Sequence, residues 1–219
     1  MSAITRKVPV SVEEYLVGEL SSPVKHEYVA GSVYAMAGAR NLHNLIVMNI
    51  LLAAGGSLRG RKCRVYNSDT KVRIRSADYS IFYYPDGTIV CNPDDWNESF
   101  QDAPVVIFEV LSSKTRRIDE GEKKSSYLSL PSLAVYALVE QEMPAITVYR
   151  RGADSFNREV LEGLDAVLPL PEVGIDIALH DIYDAVTFSV EIDCGCYRNG
   201  DKQEDILVSR DVYTAHGQW

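Results

Sequence analysis

The sequence predicts an α/β (α+β) domain: a mixed central β-sheet flanked by helices, with an N-terminal helix and a β-hairpin placed before it. Three patterns carry this prediction. Leu42, Leu45, Ile46, Ile50 and Leu52 recur at helical spacing over 41–54, which gives one buried helix. The apolar run 104–111 is followed by a polar helical segment over about 118–130 and a second apolar run over 133–139. Such a strand–helix–strand unit normally places its strands parallel with a right-handed crossover. Around these, short segments rich in Val, Ile and Tyr and bounded by Gly, Pro, Asn or Asp supply further strands.

From the N-terminus, Ser11 followed three residues later by Glu14 has the form of a capping box, so a helix runs to about Glu19 before Pro23 ends the segment. Residues 26–29 and 32–35 flank Ala30-Gly31, a hairpin turn signal. Gly55-Gly56 marks the exit of the next helix. Over 63–74, Cys63, Val65, Val72 and Ile74 sit opposite charged neighbours, giving one strand or two joined at Asn67-Ser68-Asp69. Residues 79–91 continue the sheet around Pro85, 92–103 read as a polar loop, and 145–150 add a strand before the shorter ones that lead to 181–183. Residues 1–192 are assigned to one domain and 193–219, too polar to join its core, to a C-terminal tail.

Composition narrows the class. With 219 residues, 46% hydrophobic and 24% charged, the chain is an ordinary folded protein rather than a disordered or fibrous one. No apolar run reaches the roughly 20 residues that span a bilayer, and residues 1–9 lack the apolar core and cleavage site of a secretory signal. A cytoplasmic protein with no membrane partner is expected. The cysteines at 63, 91, 194 and 196 form neither a dense disulfide framework nor two ligand pairs, so reduced thiols are expected. A net charge of −9 argues against a strong nonspecific grip on nucleic acid, which comes from many Lys and Arg contacts. Residues 58–75 nevertheless hold seven basic residues against Asp69 alone. Arg59, Arg61, Lys62 and Arg73, together with Lys124, are therefore candidate phosphate contacts. A solvated helix end and an exposed strand explain the same residues without a ligand.

Asp86 and Glu109 carry the chemistry. Asp86 follows Pro85 after an aromatic run, and Glu109 interrupts the apolar strand that contains Ile107, Phe108, Val110 and Leu111. Both faces of that strand are apolar, so a carboxylate there costs several kcal/mol, as an order of magnitude, unless a cation, a metal ion or hydrogen-bond donors compensate it. Phosphodiester hydrolysis asks for such acids, because Mg2+ takes one or two carboxylates plus water and substrate oxygens. Asp86, Glu109 and a backbone carbonyl, that of Val110, would form the protein's share. Lys123 would orient the attacking water or stabilise charge on the phosphate. Helical spacing places Asp119, Lys123 and Tyr127 on one face. Asp119 with Glu122 is read as a helix cap. His43 and Glu27 are either additional site members or, respectively, a core histidine and an exposed strand residue.

The ordered series Ser11-Val-Glu-Glu-Tyr15, His26-Glu-Tyr-Val-Ala-Gly31, Asn41-Leu-His43, Tyr84-Pro-Asp86, Val106-Ile-Phe-Glu-Val-Leu-Ser112, Thr115, Asp119-Glu-Gly-Glu-Lys123, Tyr127 and Leu133-Ala-Val-Tyr-Ala-Leu-Val139 resembles the Uma-type restriction endonucleases of the PD-(D/E)XK nuclease superfamily. It spans most of 11–186. The resemblance implies a restriction-endonuclease-like core, Asp86 and Glu109 as ligands of Mg2+ or Mn2+, and Glu27 and His43 as site members. The superfamily pattern places lysine two residues after the strand glutamate, where this chain has Leu111. Lys123 then matches the displaced lysine, with Lys124 as the fallback. The function expected is that of a metal-dependent DNA endonuclease, a homodimer because cutting two strands favours paired sites. Two alternatives stand beside it: a noncatalytic nucleic-acid-binding or regulatory module on the same fold, and a structural interaction protein in which Glu109 and Lys123 form a buried ion pair.

Overall fold

The computed structural model describes residues 9–93, 98–113 and 115–188. The first helix, α1 (Val12–Ser21), starts at the capping box read from the sequence, with Ser11 Oγ accepting from the Glu14 amide and the Glu14 carboxylate accepting from that of Ser11. Strands β1 (His26–Val29) and β2 (Ser32–Ala35) form the hairpin, and both turn residues, Ala30 and Gly31, have positive φ. Helix α2 (Asn41–Ser57) follows, longer than predicted by three residues because Gly55 and Gly56 remain helical.

Residues 63–91 give four short strands, β3 (Arg64–Asn67), β4 (Lys71–Arg75), β5 (Ser80–Tyr83) and β6 (Gly87–Val90). The predicted loop 92–103 contains a further two-residue strand, β7 (Phe100–Gln101). Then come β8 (Pro104–Val110), the short helices α3 (Arg116–Asp119) and α4 (Glu122–Leu128), β9 (Val135–Val139), β10 (Ala145–Arg151), β11 (Phe156–Glu162), β12 (Val167–Leu170), β13 (Ile175–Ala178) and α5 (Leu179–Ile182). As predicted, β8 and β9 run parallel around the helical crossover. The single helix expected over 118–130 is two, broken at Gly121. A Cβ there would lie 2.7 Å from the Arg117 carbonyl oxygen, so glycine lets the chain fold back tightly at the break.

The predicted mixed sheet is divided. One sheet has the order β2-β1-β5-β4-β7 and another β11-β10-β9-β8-β6-β3, each with parallel and antiparallel pairs, and β12 and β13 pair separately. Each tight connection, β3 to β4 and β5 to β6, crosses from one main sheet to the other. Three apolar clusters follow from this layering. Ile46, Ile50 and Ala54 of α2 pack on the six-stranded sheet through Ile89, Val106 and Phe108. Ile107, Leu111, Tyr127 and Tyr136 fill the space between the two main sheets. Tyr15 and Tyr28 cover the outer face of the five-stranded sheet with Phe82 and Phe100.

The expectation of reduced thiols is overturned for two of the four cysteines. The antiparallel register that sets Arg64 opposite Val90 brings Cys63 and Cys91 together, and they form a disulfide. Cys194, Cys196 and the tail read from 193 onward lie outside the described residues. Among the described residues no helix is long and apolar enough to cross a membrane.

Candidate active site

Glu109 lies on the face of β8 that also carries Ile107 and Leu111, so the pleat points it between the two main sheets. It is 3% exposed. The crossover returns α4 over the same space, and Lys123, one of its first residues, is 7% exposed. Lys123 Nζ stands 2.8 Å from Glu27 Oε1, 3.5 Å from Glu109 Oε1 and 3.7 Å from Asp119 Oδ1. Tyr127, one helical turn further on, donates from its hydroxyl to Glu109 Oε1 at 3.2 Å. Glu27 arrives from β1 of the other sheet, so the lysine ties the two sheets together.

Asp86 occupies the turn between β5 and β6. Its Oδ2 accepts from the backbone amide of Val110 at 2.8 Å and lies 3.1 Å from His43 Nε2, on the first turn of α2. Asp86 is thus fixed beside the residue that follows Glu109. Asp86, Glu109, Lys123, Glu27 and His43, separated by up to 96 positions in sequence, are brought into one site.

Asp119 was read from the sequence as a helix cap, and this is corrected. The N-cap of α4 is Gly121, with no side-chain hydrogen bond, while Asp119 ends α3 and is 3% exposed beside Lys123. The Tyr136 hydroxyl donates to its carbonyl oxygen at 2.9 Å. The signal was present in the spacing of Asp119, Lys123 and Tyr127, which share one buried face.

The electrostatics follow from counting charges. Three carboxylates, those of Glu27, Glu109 and Asp119, surround one lysine, and the charge of Asp86 acts on Glu109 as well. Burial raises the Glu109 carboxyl well above the usual carboxylate range; Lys123 opposes the shift, and the charges of Asp86, Asp119 and Glu27 add to it. Burial also raises Asp119, with Lys123 and a hydrogen bond from Thr115 opposing. Burial disfavours the Lys123 ammonium, but Glu109, Glu27 and Asp119 outweigh it and hold the lysine protonated. For His43, burial is likewise outweighed by the hydrogen bond and charge of Asp86, so its pKa rises. Lys123 and, beside Asp86, His43 are the basic groups that face these four carboxyls, and burial favours the neutral forms of Glu109 and Asp119.

The donor set suits a hard divalent cation, since carboxylate oxygens are what Mg2+ and Mn2+ select. Among the described residues, no three His, Cys, Asp or Glu side chains form a ready-made metal cage. Mg2+ does not ask for one, because it usually keeps several waters and takes one or two carboxylates together with substrate oxygens. Asp86 and Glu109 meet that requirement.

The basic candidates are scattered. Arg59, Arg61 and Lys62 follow the C-terminal end of α2, which at 17 residues is about 25 Å long, whereas His43 is at its start. Arg61 donates to the Gly174 carbonyl oxygen and lines a cavity of about 520 Å3 with Ser57, Pro171 and Asp176. Arg73, on β4, is engaged by Asp102, with Nε 2.6 Å from Oδ1, and its guanidinium lies 4.0 Å from the centre of the Phe100 ring. Lys124 turns away from Lys123 and sits 4.8 Å from the centre of the Tyr149 ring.

Comparison with known proteins places this arrangement. Over 185 residues, 82% of this chain and 94% of the relative, the sequence is 31% identical to an uncharacterized protein of Synechocystis sp.. A second uncharacterized Synechocystis protein is 27% identical over 157 residues, covering 70% of this chain and 87% of that protein. In structure the chain is similar to a crystal structure titled as a putative nuclease belonging to DUF820 from Anabaena variabilis, with a TM-score of 0.63 and 18% identity over 80% of this chain and 97% of that one. That likeness shows a shared fold. The sequence model of the Uma2 family, described as "Putative restriction endonuclease", matches residues 12–180, a span that contains the acids, His43 and Lys123, and the chain therefore belongs to the Uma2 family.

Proposed function

We propose that this protein is a metal-dependent endodeoxyribonuclease that hydrolyses phosphodiester bonds in DNA at the Asp86–Glu109–Lys123 site and works as a homodimer in the cytoplasm. The observation that carries the reading is the gathering of acids: Glu27, Glu109 and Asp119 meet one buried lysine, and Asp86 is held beside Val110 by its amide and by His43. A purely structural ion pair needs one acid, and each further unpaired carboxylate in a buried site is destabilising.

Asp86 and Glu109, with the Val110 carbonyl, would hold Mg2+ or Mn2+, which when bound polarises the phosphoryl oxygen and lowers the pKa of bound water. His43 fixes the Asp86 carboxylate from one side and the Val110 amide fixes it from the other. Lys123, held by Glu27 and Asp119, presents a permanent positive charge for the attacking water or for the charge that develops on the phosphate. Tyr127 restrains Glu109 through its hydroxyl. Lys124 is next in chain to Lys123, whereas Arg59, Arg61 and Lys62 would meet phosphates remote from the cleaved one.

The test is incubation of the purified chain with plasmid and oligonucleotide DNA plus Mg2+ or Mn2+, beside Asp86→Ala, Glu109→Ala and Lys123→Ala. The expected result is cleavage that needs the cation and falls by roughly a thousandfold in each variant. Equal cleavage by folded variants would sink the site assignment. DNA binding without cleavage would favour the noncatalytic module.

A further inference from the structure

The outer face of α2 has the composition of a covered surface. Asn41–Ser57 contains no Asp, Glu, Lys or Arg, whereas a stretch of this length at the chain's 24% charge content would hold about four. Packing within the protomer buries Ile46, Ile50 and Ala54, half-buries Leu45, Val47 and Ala53 against the same core, and ties Asn49 to the carbonyls of Ile182 and Asp184. On the outer face, Met48 is 53% exposed and Leu52 65%.

Gly55 and Gly56 supply a second observation. Neither has positive φ, and a Cβ at either would meet nothing within 4 Å. The protomer itself does not require glycine there, although glycine inside a helix is destabilising relative to alanine. Close approach by another backbone does require it. Met48, Leu52 and Gly55 also follow at intervals of four and three, the seam spacing of two helices laid along one another.

We propose that α2 is the self-association surface of this chain, packed antiparallel on α2 of a second copy about a two-fold axis near Met48. A two-fold contact sets a patch against itself, so the patch must complement itself. On a chain of net charge −9, most faces would bring like charges together. Among the described helices, α2 is the one that carries no Asp, Glu, Lys or Arg. The surface rests on the homodimer of the proposed function but not on its carboxylate site, and its test uses neither metal nor DNA: a dimeric double variant would defeat this surface alone, a monomeric wild type the homodimer as well.

The experiment is size-exclusion chromatography with light scattering on the full chain, from low to high micromolar concentration. Wild type should show twice the 24.4 kDa protomer mass. The double variant Met48→Glu, Leu52→Glu should show the protomer mass with an unchanged circular dichroism spectrum, because both positions are exposed. Leu20→Glu, at an 80% exposed position on α1, should remain dimeric. In a parallel oxidation, Met48→Cys should give a cross-linked dimer that neither Leu20→Cys nor wild type gives. A monomeric wild type, a double variant that stays dimeric, or dissociation by Leu20→Glu in its place would overturn the proposal.

Discussion

The two helices that cover opposite faces of the six-stranded sheet are built in opposite ways. Helix α2 has 17 residues, no formal charge, and a buried face of Ile46, Ile50 and Ala54. Helix α4 has seven residues, begins Glu-Lys-Lys, and buries Lys123 and Tyr127. Apolar contact is non-directional, so the α2 face is defined by volume and many apolar residues would serve. The α4 face is defined by partners. Lys123 has three carboxylates and Tyr127 has one, and a seven-residue helix has little stability of its own without such tertiary contacts. Apolar packing is therefore concentrated on the α2 side of the sheet and buried ionic pairing on the α4 side, with His43 at the start of α2 reaching Asp86 as the link between them.

Substitutions that act on one side alone sharpen this contrast. The largest effect is expected at Lys123→Met, which leaves Glu27, Glu109 and Asp119 without their cation. Chemical denaturation should show a loss of about 3–5 kcal/mol, and added Mn2+ should recover part of it. Ile50→Ala should cost about 2–5 kcal/mol through a cavity beneath α2, while DNA cleavage per folded molecule stays at the wild-type rate. A comparable fall in cleavage would break the division between the two sides. Reduction of the Cys63–Cys91 disulfide, or Cys63→Ser with Cys91→Ser, should cost roughly 3 kcal/mol, since a 28-residue separation is closed in the unfolded chain; thiol titration with and without denaturant checks that the pair is bonded. Tyr127→Phe should cost about 1 kcal/mol. It should also lower the cleavage rate more than it weakens DNA binding, because the hydroxyl touches Glu109 and not the exterior.

The same contrast explains what could be read from the sequence. Helix α2, the hairpin, the capping box of α1 and the parallel β8–β9 pair follow local rules of periodicity and turn chemistry, and each was legible. So was the meeting of Glu109 with Lys123, because a carboxylate in an apolar strand asks for a partner and the family pattern named one. The division into two sheets was not legible, since β3 and β4 look like one interrupted strand and only tertiary packing sends them to different neighbours. Cys63 and Cys91 become partners only through the β3–β6 register, which no local signal encodes. Asp119 was misread because Asp three residues before Glu satisfies a capping pattern. The break at Gly121 moved the real cap and freed Asp119 to be buried beside Lys123.

The central claim is that the carboxylates of Asp86 and Glu109 are gathered because they bind a divalent cation. Calorimetric titration of the purified chain with Mn2+, beside Asp86→Asn and Glu109→Gln, measures this without any need to know the DNA sequence that is cut. The account predicts saturable binding in the wild type that is lost or weakened at least tenfold in both variants, each retaining the wild-type circular dichroism spectrum. Binding of equal strength in all three proteins, or none in the wild type, would contradict it.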